Sequence, residues 1–121
     1  MNNQHAEQVR AMREQVAAAI VSLGWTALNS TAVAEKSFAT AVGSKVAHVY
    51  LKDFGQQSKA FILGGDYQSE GRNILESRCV LIARDAGAEE VRRLVAQFVA
   101  GAEQAVSESY AVRLMRARLA A

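Results

Sequence analysis

A chain of 121 residues is long enough for one domain with a modest core that needs neither metal nor disulfide. Half of it is hydrophobic and 21% is charged, which excludes a disordered or collagen-like chain; the longest apolar run, Val16 to Val21, is too short to cross a bilayer. The net charge of +2 is too small to mark the whole chain as a partner of polyanions.

No composition shift divides residues 1–121, which are read as a single domain. Proline is absent, where average usage would supply about six, so nothing marks a rigid linker. One cysteine, Cys79, cannot form an internal disulfide and points to a reducing compartment. The first ten residues are polar and lack the apolar run of a signal peptide, so a bacterial-type cytoplasm is the expected setting and no membrane partner is expected.

Residues 4–23 read as an amphipathic helix, because Val9, Met12, Val16, Ile20 and Leu23 recur at spacings of three and four, and Gly24 is a stop signal. Residues 25–34 are mixed, with Trp25 as a packing anchor. From about residue 36 the period becomes two. Gly43-Ser44 reads as a type II′ turn and Gly55-Gln56 as a second two-residue turn. The run Asn73 to Arg84 supplies a fourth strand. The alanines of 31–42 also permit a helix there.

Asp85 is the expected N-cap of the next helix, with Glu89 and Glu90 in its first turn. Val91, Leu94, Val95, Phe98, Val99, Ala102 and Val106 form its stripe. Ser107 can re-cap a last helix, or one helix can run from about 87 to 119. The fold class expected is α+β: an N-terminal helix, a four-stranded antiparallel meander, and one long or two shorter C-terminal helices packed on one sheet face. No residue motif identifies a family. In element order the chain resembles the small single-stranded-DNA-binding folds of the Whirly type.

The two expected turns fix what stands side by side. A turn at Gly55-Gln56 places Leu51 opposite Ala60 and Val49 opposite Ile62, and the Gly43-Ser44 turn places Phe38 opposite Val49, making one apolar face. On the other face Tyr50 meets Phe61, His48 meets Leu63 and Lys52 meets Lys59. Like charges directly opposite are unfavourable, and an anion would relieve them. The chain's charge excess also lies here: residues 44–84 carry six basic groups (Lys45, Lys52, Lys59, Arg72, Arg78, Arg84) against four acidic ones. An aromatic pair ringed by cations on a sheet suits single-stranded DNA or RNA. The expected contacts are Tyr50, Phe61, Lys52, Lys59, His48, Arg72 and Arg78. The alternative is that a second copy, making a homodimer, or another protein covers this face.

The glycine-rich stretch Gly64 to Asn73 lacks the Lys-Ser/Thr of a phosphate-binding loop, and Asp66 and Glu70 are too few for a calcium loop. It reads as a wide hairpin loop whose glycines supply positive φ, with Arg72 as a phosphate contact at its edge. Catalysis has no motif behind it. Strand alternation separates Cys79 from His48, Cys79 reads as a buried small hydrophobe, and CxxC, HExxH and GxSxG are absent. A non-enzymatic protein without metal or cofactor is therefore expected. Arg113, Arg116 and Arg118 complement the negative end of the last helix.

Overall fold

The computed structural model describes residues 2–55 and 57–121. In chain order come α1 (Asn2–Val21), β1 (Thr26–Ala27), β2 (Ala34–Thr40), β3 (Gly43–Lys52), β4 (Ala60–Asp66), β5 (Gln68–Ser69), β6 (Arg72–Asn73), β7 (Val80–Ala83), α2 (Ala88–Ser107) and α3 (Tyr110–Ala120). The class is α+β. Five strands in the order β1-β2-β3-β4-β7 form an antiparallel sheet, one more than expected, and β5-β6 is a small separate hairpin. The helices lie on one sheet face, with α2 on β4 and β7, α1 beside α2 and over β1 and β2, and α3 against β2.

The α1 stripe buries Met12, Val16, Ala19 and Ile20. Gly24, at φ 96°, ends the helix in the left-handed conformation that glycine adopts at least cost. The chain then folds back so that Trp25 N–H donates to Ile20 O at 3.2 Å. Trp25 is buried as an anchor, its ring edge-on to Phe38 and its indole N–H donating to Glu103 at 3.2 Å. Arg13 gathers three carbonyls, those of Leu28, Ser30 and Ala32, at 2.6 to 3.0 Å, and so pins the mixed segment to α1.

Residues 34–40 are strand, not helix. The β2–β3 turn is Ala41-Val42, two residues earlier than the Gly43-Ser44 expected, and Thr40 pairs with Gly43. The Thr40 hydroxyl closes it, donating to Gly43 O at 2.6 Å and accepting from Val42 N at 3.1 Å, while Gly43 takes the left-handed φ of 106°. Phe38 consequently faces Lys45 rather than Val49. The displacement is even, so Phe38 keeps its face.

The β3–β4 register differs in the more consequential way. Lys52 pairs with Ile62, Leu51 with Leu63, Tyr50 with Gly64 and His48 with Asp66. Lys52 was expected opposite Lys59, three positions away, and an odd displacement turns every β4 side chain to the other face. Of the two expected turn residues, Gln56 lies outside the described residues and Gly55 sits at φ 102°. The connection is a wide loop organised by Arg84. Its guanidinium donates to Ser58 O and Gly55 O, each at 2.8 Å, to Asp53 Oδ1 at 2.5 Å and to Gln8 Oε1 at 3.1 Å. It also lies 4.5 Å from the centre of the Phe61 ring. His5 Nε2 completes the cluster 2.8 Å from Asp53 Oδ2. Burial acts to raise the Asp53 pKa, but the Arg84 hydrogen bond and charge, the Gly55 N–H and His5 together hold it below the ordinary carboxylate value.

The glycine-rich stretch is a connection with its own structure. Glu70 and Gly71 both have positive φ, 52° and 81°, as a type I′ turn between β5 and β6 requires. Gly64 and Gly65 belong to β4. Asn73 Oδ1 accepts from Tyr67 N and Leu75 N while its amide donates to Gly65 O, at 2.9 to 3.0 Å. These bonds draw the chain away from the sheet, a 3-10 turn follows at Glu76–Arg78, and the expected strand from Asn73 shortens to Val80–Ala83. Gly87, not Asp85, is the α2 N-cap, and Ser109, not Ser107, stands at the N-cap position of α3, without a side-chain capping bond.

Gly65 faces the helices between Leu75 and Phe98. A Cβ there would lie 2.8 Å from Leu75 Cδ1 and 3.1 Å from both His48 O and Phe98 Cζ, whereas one on Gly64 would meet only Cys79 Cβ at 3.7 Å. Gly65→Ala should destabilise by about 1–3 kcal/mol through overpacking, and Gly64→Ala should be near neutral; urea midpoints of the two variants check this. Asp53→Asn should cost about 1.5–3 kcal/mol at neutral pH by weakening charge-assisted hydrogen bonds. Because the folded pKa is depressed, this stability is present above the unfolded value of 3.8 and is lost as pH falls below it. The gap between wild type and Asp53→Asn should therefore close on acidification, measured by urea unfolding from neutral to acid pH.

Candidate functional site

All three helices pack on the sheet face bearing Val49, Phe61, Leu63, Val80 and Ile82, which are buried. Strand alternation leaves Glu35, Val46, His48, Tyr50, Lys52, Ile62, Asp66 and Leu81 on the other side. Among the described residues no helix packs on that side. The register arranges it in rows across the strands: Ser37 beside Val46; Glu35, His48 and Asp66; Tyr50 beside Gly64; and Lys52, Ile62 and Leu81. His48 Nε2 stands 3.3 Å from Glu35 Oε1, and Asp66 accepts from Gln68 at 2.9 Å.

The face is thus split. One end is acidic. The other is apolar, with Leu81 62% exposed and Phe54 67% exposed at its rim. Gly64 has no side chain, so the centre is a hollow of about 240 Å³ bordered by Lys52, Phe54, Ile62, Glu76 and Cys79. A side chain from outside can enter it.

The expected nucleic-acid contacts are dispersed. Tyr50, Lys52 and His48 do lie on the open face. Phe61 does not: it is fully buried on the helix side beneath Arg84, so no Tyr50–Phe61 stacking pair exists. Lys59 lies outside the strand pairing, in the wide loop, and the repulsion expected between it and Lys52 is absent. Arg72 and Arg78 line a separate cleft beside the α2–α3 elbow. With Glu35 and Asp66 against Lys52, the open face has no cationic excess.

Two further expectations are corrected. Cys79 is exposed, not buried, since the strand begins one residue later. It borders the hollow on the same face as His48, and His48 is engaged with Glu35. Sequence reasoning also passed over Ile62 and Leu81, which the expected register assigned elsewhere, and Phe54, at the end of the expected strand before the Gly55-Gln56 turn. Alternation within β4 and β7 carries the signal for the first two once the register is known.

Among the described residues no group of three or more His, Cys, Asp or Glu side chains could hold a metal ion, and no helix is long and apolar enough to cross a membrane. No family model, curated protein or solved structure matches the chain.

Proposed function

We propose that this is a non-catalytic binding protein that works as a homodimer, the open sheet face of one copy packing on that of another. The observation that carries it is the sheet face away from the helices, where Phe54 and Ile62 border a hollow and Tyr50 and Leu81 lie on the same side. Face-to-face packing of sheets is a common way to bury such a surface, and a stable interface needs about 800 Å² from each partner.

The charges favour a second copy as the occupant. A two-fold axis along the Tyr50–Gly64 row, across the strands, sets Lys52 of each copy over the Glu35–His48–Asp66 row of the other. Such a surface is self-complementary, as an isologous interface must be. The same two carboxylates oppose a phosphate backbone, and with Phe61 buried the expected pair of stacking rings is lost.

Light scattering at micromolar concentration should give twice the 13.1 kDa of one chain. Leu81→Asp should shift it to a single chain without loss of helical signal. Lys52→Glu and Asp66→Lys should each weaken the dimer, and the double variant should recover it in part. A wild-type mass of one chain at these concentrations sinks the proposal. Binding of a labelled single-stranded oligonucleotide that Tyr50→Ala removes would restore the nucleic-acid reading of this face.

A further inference from the structure

The β5–β6 hairpin stands against the elbow between α2 and α3 and bounds a cleft of about 270 Å³. Three arginines from three elements reach it: Arg72 of β6, Arg78 of the 3-10 turn and Arg113 of α3. None of the three makes an ion pair among the described residues. Glu70 and Glu108 also border the cleft and form no ion pair with them; Glu108 instead accepts from Gln104 at 3.2 Å. Arg113 spends only its Nε, on Glu108 O at 2.9 Å. The Arg78 stem lies along α2 at Gly101, where a Cβ would sit 4.0 Å from Arg78 Cδ.

The polar lining continues inward. Ser69 and Ser109 border the cleft and are each only 7% exposed. Ser109 occupies the α3 N-cap position, but its hydroxyl donates to Val106 O at 2.6 Å and caps nothing, so the first-turn N–H groups of α3 keep their partial positive charge. The three guanidinium groups have no ion-pair partner among the described residues, and their planar forks match the oxygens of a phosphate. The two glutamates at the borders disfavour a polyanion threaded through the cleft and leave room for one terminal phosphate.

We infer that this cleft binds a small phosphomonoester, its phosphate held by Arg72, Arg78 and Arg113 at the start of α3. The cleft falls just below the roughly 300–1,000 Å³ of drug-sized sites, which suits a phosphate on a short carbon skeleton. Exposed Tyr110 stands at its border.

Calorimetric titration with ribose 5-phosphate, inorganic phosphate and ribose tests this. Both phosphates should bind saturably and ribose should not. Affinity should rise as pH passes about 6, where a phosphomonoester loses its second proton. Arg78→Gln should weaken binding about tenfold or more, while Arg118→Gln, outside the cleft, should leave it unchanged; exposed Arg72→Gln serves if Arg78→Gln fails to fold. The inference is overturned if ribose 5-phosphate shows no saturation up to about 10 mM, or if Arg118→Gln weakens it equally. It is overturned in favour of nucleic acid if a single-stranded oligonucleotide binds far more tightly and the cleft variants abolish that binding.

Discussion

Arg84 holds together three parts of the chain that sequence distance separates. Its guanidinium ties the end of β7 to the loop after β3 through Asp53, Gly55 and Ser58, and to the start of α1 through Gln8. The planar face of the same group lies over Phe61. A flat cation with five donors can do both at once, and a lysine cannot. By occupying the loop carbonyls it makes the loop wide, and the wide loop decides which β4 residue stands opposite Lys52. Which side chains are core and which are surface follows from that choice.

Much of the fold was legible because it rests on period and punctuation. The α1 stripe, the stop at Gly24, the α2 stripe and the shift to period two at β2 are local patterns that burial enforces directly. The register was not legible, because it depends on Arg84, a residue some thirty positions from the loop it organises. Asn73 is a second case. Its side chain accepts from two backbone N–H groups and so diverts a segment that otherwise reads as strand. Lys36 and Lys45 show a third limit: alternation places them on the helix side, where they stand over the rings of Phe38 and Tyr67 at 5.4 and 5.0 Å. The ammonium of Lys36 also pairs with Glu103 at 2.6 Å and that of Lys45 donates to Gln68 O, so polar partners and ring contact at the rim together let a lysine occupy a position on the helix side.

The candidate site suffered from the same error. The sequence does contain an aromatic pair and a cationic excess in the middle segment, yet the fold sends the members to different places. Phe61 goes to the core, Arg84 to the loop clamp, and Arg72 and Arg78 to the hairpin cleft. What remains around Tyr50 is mostly apolar with an acidic border. Arg113 belongs with Arg72 and Arg78 only because α2 breaks at the elbow, and no spacing in the sequence announces that meeting.

Strand follows neighbouring strand through most of this sheet, but α1 is an exception, since it packs beside α2 on the far side of the whole sheet in chain order. On the ribosome α1 emerges well before its main helical neighbour, with the whole sheet synthesised between them. Through that interval the stripe of Met12, Val16, Ala19 and Ile20 has β1 and β2, but not α2, to pack on. The nascent chain therefore carries an incompletely covered apolar stripe until α2 is made. A holding chaperone would meet this protein there, and a chain truncated before α2 would be prone to aggregate through that stripe.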